Sequence, residues 1–193
     1  MVEWLSNLEI SILIWINTTT SNSLFDSFFP FYTDLQKISY VITPAILLLF
    51  FFFFKKYKRA GVTYFLFLAL SVGVSDFIGG KVKNVVLRPR PFTVAELNVT
   101  QRSPANPDVS FYSNHASNMF TLATYTSSFF PGGKIFLFLL ACLTGYSRMY
   151  VGVHYPSDVL VGALMGTLIG WLFSRLARKV VQKLEAIEKD QQS

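Results

Sequence analysis

The sequence predicts an all-α protein: a polytopic bundle of five to six transmembrane helices, with a short or interfacial helix at the N terminus. Two observations support this prediction. Hydrophobic residues make up 52% of the 193 residues and charged residues only 15%, whereas a soluble domain is about 25% charged. Long uncharged runs also recur, and they cover residues 38–54, 61–75, 116–133, 135–147 and 159–174. These runs argue against the alternative, a soluble all-α domain with a large core.

The N-terminal segment is expected to lie partly in the membrane interface. Residues 3–18 form an apolar stretch with two tryptophans, which either spans the membrane or lies in its interface. The first nine residues carry two glutamates and no Lys or Arg, unlike a secretory signal. The polar residues 17–22 predict a break, and the aromatic residues 23–36 predict a short interfacial or re-entrant helix.

Basic residues predict the topology of a single domain, 1–193, with a helical core over 36–174. Cations cluster in residues 55–59 and in the tail, 175–193, and the positive-inside rule assigns both to the cytoplasm. The net charge of +6 is therefore attributed to loops near lipid headgroups and not to nucleic acid. An outer loop covers 79–114, and the predicted path runs outward along 61–78, inward along 115–131, outward along 135–147 and inward along 157–174.

This path brings three polar clusters to the outer face, and the first contains His154, Pro156 and Asp158. Proline favours the first turn of a helix, so His154 is expected at the mouth of the last span. A carboxylate that accepts from one imidazole nitrogen leaves the other nitrogen free as a nucleophile. The alternative is that both side chains only cap the helix. Arg148 favours the functional interpretation, because a guanidinium matches phosphate oxygens.

The second cluster surrounds His115, the only other histidine. Ser113 or Asn114 is a natural N-cap for the helix that follows, which is a structural explanation of the polar residues here. A helix N-terminus also presents free N–H groups and a positive dipole end, which together bind phosphate. A histidine at this position can donate a proton to a leaving oxygen.

The third cluster lies in the outer loop and is basic: Lys81, Lys83, Arg88 and Arg90, with Arg102 further along. Lys81 and Arg88 are seven residues apart, so both can face one way on a helix, which Pro89 then ends. An ordinary solvated basic loop is the alternative, although cations are disfavoured on the outer side. Asp76 is expected to pair with one of the two lysines.

Together the clusters resemble the tripartite signature of the type 2 phosphatidic acid phosphatase superfamily: K-x6-R-P, P-S-G-H and S-R-x5-H-x3-D. Nine positions match in the same order: Lys81, Arg88, Pro89, Ser113, His115, Ser147, Arg148, His154 and Asp158. The middle part departs twice, because Tyr112 replaces Pro and Asn114 replaces Gly. Asn tolerates the backbone conformations of Gly better than most residues do, so we expect activity to be retained.

The resemblance implies a phosphatase that needs neither a metal nor a cofactor. His154 would attack phosphorus and form a phosphohistidine, Asp158 would orient it, and His115 would protonate the leaving oxygen and then help water to cleave the intermediate. The phosphoryl oxygens would be held by Lys81, Arg88, Arg148, Ser113 and the Asn114 amide. Such a set suits phosphoryl transfer, which depends on positioning and on cations around the equatorial oxygens.

The implied substrate is a lipid phosphate or diphosphate at the periplasmic face of a bacterial-type inner membrane. The resemblance implies no obligatory protein partner for the enzyme. Lipid A 1-phosphate and undecaprenyl diphosphate are preferred, because the outer basic surplus suits a large anionic headgroup. Phosphatidylglycerol phosphate, phosphatidic acid and transfer of the phosphate to a second lipid are the alternatives. Three further cations lie outside the matched positions: Lys83, Arg90 and Arg102. They are expected either to contact the rest of the headgroup or to be solvated.

Two other classes of function use the same residues differently. A transporter or flippase for anionic lipids would use the cations but would not need both histidines. A catalytically silent binding protein is disfavoured by the complete set of His154, Asp158 and His115.

Overall fold

A computed structural model describes residues 2–35, 39–107 and 109–191. Every regular element in these ranges is helical, as the sequence predicts. The α-helices are α1 (Val2–Ile14), α2 (Ser23–Asp34), α3 (Ser39–Tyr57), α4 (Arg59–Lys83), α5 (Asn114–Phe129), α6 (Lys134–Tyr150) and α7 (Pro156–Asp190). A π-helical turn continues α1, and 3₁₀ turns lie in the connections: Trp15–Thr19, then Pro91–Thr93, Ala95–Leu97 and Pro131–Gly133.

Within the described residues, three helices are long and apolar enough to cross a membrane: Tyr40–Tyr57, Arg59–Lys83 and Pro156–Asp190. Helices α5 and α6 are shorter, with 16 and 17 residues, whereas a span takes about 20. Large apolar side chains cover the outside of the bundle and are mostly exposed, among them Leu70, Phe77, Leu139 and Leu164. This surface suits hydrocarbon, while the number of spans stays a prediction.

Two helices continue past their predicted ends. The sequence predicts a loop from residue 79, but α4 continues to Lys83, and Gly79 packs directly on the start of α5. The helix nevertheless ends before Arg88, so the prediction that Lys81 and Arg88 share a helix ended by Pro89 is wrong. The sequence also predicts a separate tail from residue 175, but α7 runs unbroken to Asp190. Residues 175–190 contain no Gly or Pro and many strong helix formers. The predicted boundary at residue 36 lies outside the described residues.

Three glycines at helical spacing let α7 approach the backbone of α5. A Cβ added to Gly162 would lie 2.6 Å from the Ser113 carbonyl oxygen, and one added to Gly170 would lie 2.6 Å from that of Thr121. Gly166 between them is closer still to the Ser117 carbonyl. Small residues four apart allow such contact between membrane helices. The close contact brings the start of α5, with His115, beside the start of α7, with Asp158.

A buried asparagine fastens the N-terminal segment to the outer loop and to the end of α6. Asn17 is fully buried, and its Nδ2 donates to the carbonyls of Thr100 and Tyr150 at 2.9 and 2.8 Å. Its Oδ1 accepts from the Thr100 amide at 2.9 Å. An apolar cluster packs beside it: Ile16, Phe29, Tyr150, Val151 and Val153. This region is the support on which the His154 loop rests.

Candidate active site

One polar cavity of about 360 Å³ contains both histidines. Its lining residues come from the ends of α4, α5 and α6 and from the loops beside them: Asp76, Lys83, Arg90, Asn114, His115, Asn118, Arg148 and His154. Residues from all three predicted clusters therefore meet in one space, although they are distant in the chain.

His154 lies in the short connection between α6 and α7, and its ring is oriented by Asp158. Tyr155 is extended and Pro156 starts α7, which puts Asp158 in the first turn. One carboxylate oxygen of Asp158, Oδ2, accepts from the Tyr155 amide at 2.9 Å and lies 3.4 Å from His154 Nδ1. Because a carboxylate accepts, this contact assigns the proton to Nδ1. Nε2 is then the unprotonated nitrogen, which carries the lone pair that a nucleophile needs.

The His154 imidazole is buried and surrounded by positive charge. Its side chain is 2% exposed, and Nε2 lies 3.4 Å from Arg90 Nη1. Burial first, and then the cations Arg148, Arg90 and Lys83, hold the pKa of His154 well below its ordinary value of 6.5. A neutral imidazole at neutral pH is what a nucleophile requires.

His115 is the second residue of α5, directly after Asn114. Ser113 is the N-cap, because its Oγ accepts from the Ala116 amide at 3.4 Å. Ser113 is fully buried and is absent from the cavity lining, and its amide donates to the Asp158 carbonyl at 3.1 Å. The serine thus ties the starts of α5 and α7 together, while Asn114 and His115 face the cavity.

Three cations line the cavity: Lys83, Arg90 and Arg148. Arg90 is 9% exposed, and it donates through Nε to the Asn106 carbonyl at 2.6 Å and through Nη1 to the Val153 carbonyl at 2.9 Å. Arg148 is buried and donates through Nη1 to Thr33 Oγ1 at 2.6 Å. These bonds hold both guanidinium groups in fixed orientations beside His154.

The first part of the signature fits the chain in two registers, and the structure distinguishes them. Lys81 and Arg88 are not among the cavity residues. The Lys81 ammonium lies 5.3 Å from the centre of the exposed Phe77 ring, and Arg88 is bound to Asp158 and Glu9. Lys83, Arg90 and Pro91 have the same spacing two residues later. That second match was available in the sequence and identifies the two cations of the basic cluster that line the cavity.

Arg102, the third predicted headgroup contact, lies away from the cavity lining. Its Nε forms an ion pair with Asp26 Oδ1 at 2.7 Å, and its Nη2 donates to Ser21 Oγ at 2.9 Å. Its guanidinium also lies 5.1 Å from the centre of the Tyr150 ring. Arg102 therefore joins the outer loop to the start of α2.

Asp76 forms part of the cavity wall together with two asparagines of α5. The sequence predicts that Asp76 pairs with a lysine, but its Oδ1 accepts from Nδ2 of Asn114 at 3.0 Å and of Asn118 at 3.1 Å. Asn114 replaces the glycine of the signature, and Gly79 opposite makes room for it, since a Cβ there would collide with Asn114 Oδ1. Sequence reasoning missed Asn118, which lies one helical turn after Asn114.

No group of three or more His, Cys, Asp and Glu side chains in the described ranges is arranged to hold a metal ion.

Comparison with known proteins identifies the family. The model of the PAP2 superfamily matches residues 60–182, which include all the cavity residues. The chain belongs to the PAP2 superfamily. This confirms the resemblance of the three clusters.

PAP2 relatives resemble the chain over most of its length. The Lipid A 4'-phosphatase of Bacteroides thetaiotaomicron is 29% identical over 96% of this chain and 84% of its own. Undecaprenyl-diphosphatase BcrC of Bacillus subtilis is 32% identical over 81% of this chain and 77% of its own. Among solved structures, Aquifex aeolicus LpxE has a TM-score of 0.72 and 30% identity, covering 87% of this chain and 95% of that one.

A second solved structure shares the fold. It is the transmembrane PAP2 type phosphatidylglycerolphosphate phosphatase of Bacillus subtilis, with a TM-score of 0.73 and 22% identity over 91% of this chain and 87% of that one. The shared fold agrees with the long apolar helices of a membrane protein.

Proposed function

We propose that the protein is a metal-independent lipid phosphatase of the inner membrane, with its active site on the periplasmic side. The observation that carries the proposal is the single cavity that contains His115, His154 and three cations. Lipid A phosphates and undecaprenyl diphosphate are the proposed substrates, because both kinds of phosphatase are among the relatives. The positive-inside rule supports the periplasmic side, since the basic residues 55–59 and the basic end of α7 lie at the opposite end of the predicted path.

The proposed reaction has two steps. In the first, His154 Nε2 forms a bond to phosphorus, the bond from phosphorus to the lipid oxygen breaks, and His115 gives that oxygen a proton. In the second, His115 takes a proton from water as the water oxygen attacks phosphorus. The P–N bond then breaks, and inorganic phosphate and free His154 are released. Asp158 holds the ring throughout and stabilises its positive charge.

We assign the phosphoryl oxygens to Lys83, Arg90, Arg148 and the backbone amides at the start of α5. A loose phosphoryl transition state spreads charge over three equatorial oxygens, and fixed cations around a cavity meet that requirement. The roles implied for Lys81 and Arg88 pass to Lys83 and Arg90, which have the same spacing. Ser113 acts as the helix cap that aims the Asn114 and His115 amides.

Phosphate release by the purified protein tests the proposal. The protein in detergent with EDTA is given lipid A 1-phosphate, undecaprenyl diphosphate, phosphatidylglycerol phosphate and phosphatidic acid side by side. We expect release from at least one of the first two, inhibition by vanadate, and an acid-labile phosphoprotein that His154→Gln cannot form. A folded protein that releases phosphate from none of the four lipids would contradict the proposal and favour lipid transport.

A further inference from the structure

We propose that Glu9 and Arg88 are positioning residues that hold the Asp158 carboxylate against the His154 imidazole. This inference rests on the proposed function and extends it to the N-terminal helix. Arg88 is the guanidinium that the first register of the signature would assign to phosphate. Its surroundings instead assign it to the carboxylate behind the nucleophile.

The contacts form a continuous chain from α1 to the nucleophile. Glu9 Oε2 lies 2.7 Å from Arg88 Nη2, and Arg88 Nη1 lies 2.9 Å from Asp158 Oδ1. The other oxygen of Asp158 is the one that faces His154 Nδ1. Both oxygens of a buried carboxylate are thus engaged, one by the arginine and one by the histidine and the Tyr155 amide. A carboxylate held on both sides cannot rotate away from the imidazole.

Arg88 is itself held in place by two further contacts. Its Nη1 donates to Ser157 Oγ at 2.7 Å, and its guanidinium carbon lies 3.7 Å from the centre of the Tyr155 ring. Its Nη2 is bound to Glu9, so both terminal nitrogens are engaged by protein acceptors. A guanidinium bound in this way forms a fixed fork.

Glu9 also binds the first turn of α7 directly. Its Oε1 accepts from the Ser157 amide at 2.8 Å and from the Ser157 hydroxyl. The first amides of a helix have no partner within the helix, so a carboxylate from α1 satisfies one of them and also suits the positive dipole end. The N-terminal helix therefore fixes the turn that carries Asp158 as well as the carboxylate itself.

The test compares Glu9→Gln with Glu96→Gln on the preferred lipid. Glu96 is exposed in the outer loop and undergoes the same change of charge. Because Glu9 does not line the cavity, we expect kcat to fall about tenfold with KM unchanged in Glu9→Gln, and wild-type values in Glu96→Gln. Equal kcat in the two variants would overturn the positioning role.

A double-mutant cycle separates positioning from simple support of the fold. If Glu9 and Arg88 act through Asp158, then Glu9→Gln should reduce kcat less than twofold when added to Asp158→Asn. If Glu9 only supports the fold, Glu9→Gln should lower kcat by the same factor in the wild type and in Asp158→Asn. That result would refute the inference. Arg88→Gln provides the same cycle if Glu9→Gln does not fold. Wild-type protein that releases no phosphate refutes the proposed function itself, whereas active wild type with an unchanged Glu9→Gln refutes only the positioning.

The Asp76 side of the cavity carries a second, independent inference: we infer that Asp76 selects the leaving group. It also rests on the proposed function and narrows its substrate class. Asp76 is held by Asn114 and Asn118, which flank His115 on α5. Asp76 and His115 both line the cavity, so the carboxylate lies on the same side as the histidine that would protonate the leaving oxygen.

A fixed carboxylate on the His115 side of the cavity favours one kind of leaving group. A sugar presents hydroxyl and amide donors, which a carboxylate accepts strongly. A diphosphate presents a second phosphate, which the carboxylate repels, and such a repulsive element contributes to specificity. We therefore assign the chain to phosphate esters of a lipid-linked sugar in preference to lipid diphosphates.

The ratio of kcat/KM for lipid A 1-phosphate to kcat/KM for undecaprenyl diphosphate tests this assignment. We expect Asp76→Asn to lower the ratio about tenfold, because activity on the diphosphate rises as the repulsion is removed. Glu96→Gln should leave the ratio unchanged. An unchanged ratio in Asp76→Asn, or an equal loss on both lipids, would overturn the selective role. If neither lipid is hydrolysed by the wild type, the proposed function fails as well.

Discussion

Lys81 and Lys83 provide a matched pair for testing which cations act on the phosphate. They are two residues apart at the end of α4, so their side chains point in directions about 200° apart around the helix. Lys83 lines the cavity, whereas the Lys81 ammonium lies over the exposed Phe77 ring. Changing each lysine to methionine removes the charge and keeps a flexible side chain of similar length.

The two variants should differ strongly in activity. Removing one fixed donor from a site of developing charge costs about 2.7–4 kcal/mol, or about 10²–10³ in kcat. We expect that loss in Lys83→Met. Lys81→Met removes only a contact with an exposed ring, which is worth about 0.5–1 kcal/mol of stability and does not involve the phosphate. Its kcat should therefore stay within about twofold of the wild type.

Initial rates of phosphate release from lipid A 1-phosphate in detergent with EDTA measure the difference. Thermal unfolding of each variant in the same detergent checks that both are folded. If Lys81→Met loses as much activity as Lys83→Met, or more, then the first register of the signature is the functional one. The residues that line the cavity would then not be the ones that bind the phosphate.

Four further predictions concern the histidines and the outer support. His154→Ala should abolish turnover on every lipid, because the described cavity offers no second nucleophile in an equivalent position. In the wild type the pKa of His154 lies below 6.5, so its imidazole is still neutral at pH 6.5. The fall in kcat/KM caused by its protonation should therefore lie well below pH 6.5. A fall at or above that pH would contradict the argument that burial and nearby cations lower this pKa. His115→Ala should slow lipid hydrolysis by about 10²–10⁴ but affect p-nitrophenyl phosphate much less, because nitrophenolate leaves without a proton, and equal losses would remove the general-acid role. Asn17→Ala should lower the free energy of unfolding by about 2–3 kcal/mol, because three backbone groups, among them the buried Tyr150 carbonyl, lose their partner. Changing the exposed Asn7 to Ala should not lower it, and equal thermal stability of the two variants would disprove that Asn17 fastens the N-terminal segment.

Much of the candidate active site could be predicted because its polar residues interrupt apolar runs. His115, Arg148 and His154 each lie next to an uncharged stretch, and both histidines line the cavity. A polar residue at the end of a membrane helix is expensive unless it faces water or a partner. A polar residue at such a position therefore indicates a functional role in preference to a packing role.

The register of the basic cluster could not be predicted in the same way. Lys81 with Arg88 and Lys83 with Arg90 have identical spacing and are each followed by proline. The choice depends on which side of α4 meets α5, and that is decided by the contact of Gly79 with Asn114. Spacing along one helix contains no information about its rotation against another helix.

The amino-acid sequence by itself determined the helical membrane fold, the family and the choice of the two histidines and Asp158 as candidate catalytic residues, because hydropathy and motif spacing are local properties of the chain. Only the tertiary structure decided that Lys83 and Arg90 line the cavity, that Arg88 supports Asp158, and that Glu9 reaches them from α1. Glu9 lies 79 residues from Arg88 and 148 from Ser157 in the chain. Contacts at such separations arise from helix packing, which no local pattern specifies.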